Sequence, residues 1–90
     1  MFNKRRGEIE IIGEILDISQ KGAKKTEILY KNNMSFIQLN NYLSLLKKKE
    51  IIREDLVPND GGQTLNSVYV TTEKGNHLLK DINRILSYFE

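Results

Sequence analysis

Ser35-Phe36-Ile37-Gln38-Leu39-Asn40-Asn41-Tyr42-Leu43-Ser44-Leu45-Leu46-Lys47-Lys48-Lys49 carries the sharpest local signal in this chain. Ser35 and Gln38 have the S-x-x-Q spacing of a capping box. In it the two side chains satisfy backbone N–H groups that the first helical turn leaves without partners. Met34 precedes the cap and Leu39 lies four residues after it, the two positions of a hydrophobic staple. Leu39, Leu43 and Leu46 then recur at helical spacing, with Tyr42 on their flank. Three lysines end the run, where cations complement the negative end of the helix dipole. The stretch therefore predicts a helix starting at Ser35 with one apolar face. With Leu39 inward, Ile37, Asn41, Ser44 and Lys48 point outward, and Gln38 and Asn40 lie on the flanks.

Upstream, Ile9, Ile12, Ile15 and Leu16 recur at helical spacing. Ile11 and Ile18 widen the arc to about half the circumference, beyond the ~100° stripe of an ordinary surface helix. This first helix is expected to meet two neighbours and to stop at Gly22. A short second helix is expected from about Lys25 to Lys31, with Ile28 and Leu29 apolar and Asn32-Asn33 as a turn. Downstream, Ile51–Val57 and Leu65–Val70 read as strands. They flank a loop, Pro58 to Thr64, that contains Asn59-Asp60-Gly61-Gly62. Thr72-Glu73 opens a last helix with Leu78, Leu79, Ile82, Ile85, Leu86 and Phe89 as its apolar residues. The order is helix, helix, helix, strand, strand, helix. The fold class is α+β, mostly α.

Ninety residues are enough for a single domain. With no cysteine there is no disulfide and no thiolate metal site. His77 is the only histidine, a poor start for a zinc site, and reads as a surface or interface residue. A partner subunit remains as the route to extra stability for so small a core. No run approaches the ~20 apolar residues of a membrane span. Lys4-Arg5-Arg6 has no apolar stretch after it and is not a secretory signal, so a cytoplasmic protein is expected. Residues 1–50 hold ten Lys/Arg against six Asp/Glu, and residues 51–90 hold four against six. A basic half joined to an acidic half suits a molecule that turns one end toward an anion. An enzyme is not expected: there is no cysteine, one histidine, no Gly-rich phosphate loop and no pair of carboxylates in a buried-looking setting. No cofactor and no small-molecule ligand are expected either.

Two short helices joined by a tight turn and followed by a β-hairpin resemble the winged helix-turn-helix fold. The pattern Ser35-x-x-Gln38-Leu39-Asn40-Asn41-x-Leu43-x-x-Leu46 resembles the recognition helix of many transcription regulators. Tyr69-Val70-Thr71-Thr72-Glu73-Lys74-Gly75 resembles the strand-to-helix signature that closes many archaeal and bacterial winged helices. Ile11-Ile12-Gly13-Glu14-Ile15-Leu16, Gly22-Ala23-Lys24-Lys25-Thr26 and Asn41-Tyr42-Leu43-Ser44-Leu45-Leu46 are similar to archaeal winged-helix DNA-binding proteins. That family includes small crenarchaeal members with a C-terminal dimerising coiled-coil helix. One departure is Glu50, which stands where the family usually has Gly after the recognition helix. Left-handed backbone there would cost Glu ~1–2 kcal/mol.

The resemblance implies a DNA-binding domain over residues 1–71 and a dimerisation helix over 72–90. It implies a transcriptional regulator that binds double-stranded DNA as a homodimer. Its helix from Ser35 would lie in the major groove, with Ser35 near phosphate at the helix N-terminus. Asn and Gln can pair with adenine, and Ile37 can meet a thymine methyl. Base contacts are expected from Ile37, Gln38, Asn40, Asn41 and Ser44, and phosphate contacts from Lys4, Arg5, Arg6, Lys24, Lys25, Lys47 and Lys48. The helix has no arginine, which leans toward A·T preference or weak discrimination. The wing carries Asp60 and no cation in its loop, leaving Gln63, Thr64 and Asn66 as possible hydrogen-bonding groups. Leu78, Ile82, Ile85 and Phe89 are spaced four, three and four apart, an a/d seam. With Leu86, and with Ile11 and Ile18 of the first helix, they are the expected dimer interface. An architectural DNA protein and a protein-binding winged helix stay open as alternatives.

Overall fold

The computed structural model describes residues 7–90. The elements run α1 (Glu8–Ile18), α2 (Lys25–Asn32), α3 (Phe36–Lys48), β1 (Ile52–Pro58), β2 (Leu65–Thr71) and α4 (Glu73–Ser87). The architecture is a mostly helical α+β winged helix. Its core gathers Ile15 and Leu16 of α1, Ile28 of α2, Leu39, Leu43 and Leu46 of α3, Ile52, Tyr69 and Leu79. Every helix and both strands therefore contribute to one interior. Each fully buried Leu or Ile side chain stabilises it by roughly 1.5–3 kcal/mol.

Helix α1 ends earlier than Gly22 implied. Ser19 is its C-cap, and Gly22, with φ +98°, lies three residues on in a turn. The reason is tertiary: the Ser19 carbonyl accepts from Gly22 N–H at 3.1 Å and from Thr71 N–H at 3.0 Å. The turn delivers Ala23 to β2, where Ala23 and Tyr69 exchange both backbone hydrogen bonds at 3.0 and 2.7 Å. This one-residue bridge ties the helical half to the hairpin. Ile9, part of the expected apolar arc, is left half-exposed at the start of α1. Asn32 is not a turn residue but the buried last residue of α2, its Nδ2 donating to the Ile28 carbonyl at 2.9 Å. Asn33 makes the turn alone with φ 52°.

At the far end of α3 the chain closes a Schellman motif. Ile51 N–H donates to the Leu46 carbonyl at 2.9 Å and Glu50 N–H to the Lys47 carbonyl at 3.0 Å. Glu50 occupies the left-handed seat with φ 61°, where glycine would sit without strain. β1 and β2 then pair antiparallel, with Ile52 opposite Thr71, Glu54 opposite Tyr69 and Leu56 opposite Ser67. Paired residues share a face. At the base that face is buried through Ile52, Tyr69 and Thr71; beyond the body it carries exposed Leu56 and Leu65.

The strand-to-helix corner assigns tasks to Thr71, Thr72 and Gly75 of its signature. Thr71 Oγ1 donates to the Leu16 carbonyl at 2.7 Å. Thr72 caps α4, its hydroxyl accepting from Gly75 N–H at 3.0 Å and lying 2.8 and 2.9 Å from the Glu50 and Ile51 carbonyls. A Cβ at Gly75 would lie 2.2 Å from the Ile51 carbonyl oxygen, so only glycine fits. From there α4 lies along α1. Gly13 admits Ile82 so closely that a Cβ on it would stand 3.1 Å from Ile82 Cγ2. Ile82, expected on a dimer seam, is therefore interior to the subunit at 2% exposure, because Gly13 opens a slot for it. Among the described residues no helix is long and apolar enough to cross a membrane.

Candidate nucleic-acid interface

Helix α3 starts as the capping box requires. Gln38 N–H donates to Ser35 Oγ at 3.1 Å, and Ser35 N–H donates to Gln38 Oε1 at 3.1 Å. Opposite the buried leucines, Ile37, Asn41, Ser44 and Lys48 all lie in solvent, as do Ser35, Gln38, Asn40 and Lys47. Ile37 stands out among them: it is apolar and 74% exposed. Gln38 is exposed but its carboxamide oxygen is turned back to the cap. It presents less than the paired donor and acceptor that adenine recognition uses.

The expected cations fall into three groups. Lys4, Arg5 and Arg6 lie outside the described residues. Lys24 is exposed at the N-cap of α2, and Lys48 is exposed at the end of α3. Lys25 and Lys47 are already engaged. The Lys25 ammonium lies 5.4 Å from the Phe36 ring centroid and 5.9 Å from that of Tyr69, within cation–π reach of both. Lys47 Nζ donates to Glu54 Oε1 at 2.6 Å. The hydrogen bond from Lys47, with another from Ser67, holds the Glu54 carboxyl below the usual carboxylate range. The same bond to Glu54 lifts Lys47 above the ordinary lysine value. Burial pushes the Tyr69 phenol up, and Glu54 adds to it.

Phe36 and Glu54 were not among the expected site residues. Phe36, 53% exposed and directly after the cap, forms a ring contact with Lys25. Glu54 could have been found from strand alternation: it shares a face with buried Ile52 and so turns toward α3. The wing remains without a loop cation, and the expected polar residues Gln63 and Thr64 are exposed there beside Asp60.

On α4, Leu78 is half-buried against the core, Leu86 is half-buried, and Ile85 and Phe89 are 51% and 62% exposed. Ile11 and Ile18 are half-buried, packed on the core. The outward apolar edge is thus Leu78, Ile85, Leu86 and Phe89, without Ile82. His77 is exposed in the first turns of α4. Among the described residues no three His, Cys, Asp or Glu side chains are grouped to hold a metal ion.

An uncharacterized protein of Methanocaldococcus jannaschii is 37% identical over 82 residues, covering 90% of this chain. The chain spans about a third of the length of that relative (34%). A family model described as winged helix-turn-helix matches residues 5–89, a span that takes in every helix, both strands and the corner at Gly75. The chain belongs to the winged helix-turn-helix family.

Proposed function

We propose that the protein binds double-stranded DNA as a homodimer, with α3 in the major groove, and regulates transcription in the cytoplasm. One observation carries the reading. Helix α3 buries Leu39, Leu43 and Leu46 and holds out Ile37, Asn41, Ser44 and Lys48 on the opposite side, with Asn40 exposed on the flank. A reading helix needs that division: a locked inner face and an outer face without internal duties. Lys24 and Lys48 supply exposed charge for the flanking phosphates, and Ser35 lies at the helix N-terminus, where backbone N–H groups favour phosphate. The reading calls for no catalytic step, metal or cofactor.

A dimer would use the outward edge of α4, at Ile85 and Phe89, and set two α3 helices about 34 Å apart, one turn of DNA. Sedimentation at about 10⁻⁵ M tests it. The chain is expected to run as a dimer and Ile85→Glu as a monomer. A monomeric parent chain overturns this part alone.

Selection from a random duplex pool at physiological salt tests the function. A sharp motif supports a regulator, and binding with a flat profile points to an architectural role. Absence of binding overturns the DNA reading. A second reading, a protein-binding module, is favoured by the wing, where Leu56 and Leu65 are 63% and 61% exposed near Asp60. Retention on heparin separates the two, since only the DNA reading requires it.

A further inference from the structure

We infer that α3 selects A·T base pairs, with Ile37 seated against thymine methyl groups and Asn41 bonding the adenine edge. The inference rests on the duplex-binding reading and names the substrate class within it. Ile37 and Asn41 are one helical turn apart on the outward face. Side chains at i and i+4 stack along that face and can meet neighbouring base pairs in one groove.

Three observations favour this pair. Ile37 is the most exposed apolar side chain of α3, at 74% against 53% for Phe36 and 47% for Leu45, and shares the outward side with Asn41, Ser44 and Lys48. In the major groove the thymine methyl is the base-edge feature an aliphatic side chain can cover. Next, Gln38 is engaged in its cap, and of the two exposed asparagines Asn41 lies one turn from Ile37 on the outward face whereas Asn40 lies on its flank. An Asn carboxamide matches the N6–H and N7 of adenine with two hydrogen bonds.

Lastly, the commonest reader of guanine is missing from this face. The two arginines among the described residues are Arg53 and Arg84, bonded to Asp55 and Asp81, and neither is on α3. Lys47 is held by Glu54, and Lys48 comes at the end of α3, whereas base contacts come from the N-terminal part of a recognition helix.

Thymine and uracil differ only by the methyl group, so a uracil-substituted duplex isolates the Ile37 contact. Fluorescence anisotropy would compare the full chain on an A·T-rich duplex, its uracil counterpart and a G·C-rich duplex of equal length. The parent chain should bind the uracil duplex about fourfold more weakly for each methyl covered. Ile37→Ala should bind thymine and uracil duplexes alike. Asn41→Ala should lose roughly tenfold on the A·T-rich duplex and keep its G·C affinity. Circular dichroism would verify that both variants fold, as their exposure implies.

Equal affinity of the parent chain for thymine and uracil duplexes overturns the inference while leaving duplex binding intact. An unchanged thymine-to-uracil ratio in Ile37→Ala overturns the assignment to Ile37. Failure to bind any of the three duplexes overturns the functional reading itself.

Discussion

Gly75 and Ile37 stand at opposite limits of constraint. At Gly75 one added carbon would lie 2.2 Å from the Ile51 carbonyl oxygen. At Ile37 a whole branched side chain is 74% exposed. Both residues lie in the first turn of a helix capped by a hydroxyl residue, Thr72 for α4 and Ser35 for α3. Local sequence therefore starts both helices in the same way. The difference is tertiary: the first turn of α4 is closed against the end of α3, whereas the first turn of α3 turns Ile37 to solvent. The corner residues answer to packing, and the outer residues of α3 are left exposed.

The largest test of that contrast is Gly75→Ala. The atom in the way is a backbone carbonyl that also accepts from Thr72 N–H at 3.1 Å, so it cannot step aside. The variant should lose roughly 3 kcal/mol in urea denaturation, the upper range for overpacking. Ile37→Ala should stay within about 0.5 kcal/mol. A Gly75→Ala midpoint equal to that of the parent chain would show that the corner has slack.

Thr72→Ala comes next. Its hydroxyl caps Gly75 N–H and also binds the carbonyls at the end of α3. The expected loss is about 1–2 kcal/mol. Thr72→Ser, which keeps the hydroxyl, should recover most of it. Ser35→Ala removes a cap without that second contact and should cost less. Equal losses at Ser35 and Thr72 would mean that the bonds from Thr72 to α3 contribute nothing to stability.

What the chain displayed in its sequence follows the range of each interaction. The Ser35–Gln38 box, the Thr72 cap and the hairpin are patterns within a few residues; the two caps lie where their spacing implied, and the strands lie within one residue of it, with Pro58 ending β1 rather than opening the loop. The left-handed seat at Glu50 was signalled by the resemblance, which puts glycine after the recognition helix where this chain has Glu. Features that depend on distant residues were not legible. Ala23 pairs with Tyr69 through a single residue, too short for any periodicity. An a/d spacing on α4 marks a seam but not its neighbour, so Ile82 and Ile85 looked alike until Gly13 took one of them inside. At the site, the exposed face of α3 could be read from its leucines. The partners of Lys25 and Lys47 come from other elements and could not.

Glu50→Gly gives a smaller effect of opposite sign. Relief of the left-handed backbone exceeds the added flexibility of glycine in the unfolded chain, for a net gain of about 0.5–1 kcal/mol. A neutral or destabilising outcome would show that Glu50 is compensated by contacts its geometry does not reveal.

The smallest effect is expected at Glu54, and it separates two lysines that look equivalent in sequence. Lys47 and Lys48 are adjacent, but Lys47 is bonded to Glu54 at 2.6 Å. Glu54 has a lowered pKa, so its contribution to folding holds above the ordinary carboxylate value and fades as pH falls through the lowered one. Lys47 has a raised pKa, so its share holds below the ordinary lysine value and is lost as pH rises through the raised one. The pair is therefore at full strength across neutral pH. It stands at the surface, where such pairs add little to stability. The consequence to measure is on DNA. With Glu54→Gln, Lys47 loses the carboxylate that competes with phosphate. The slope of log affinity against log salt should steepen by up to about 0.9. Lys48→Gln should flatten it by a similar amount, and Lys47→Gln should leave it near that of the parent chain. If Lys47→Gln flattens the slope as much as Lys48→Gln, then DNA already takes Lys47 from Glu54, and the two lysines act alike in the complex.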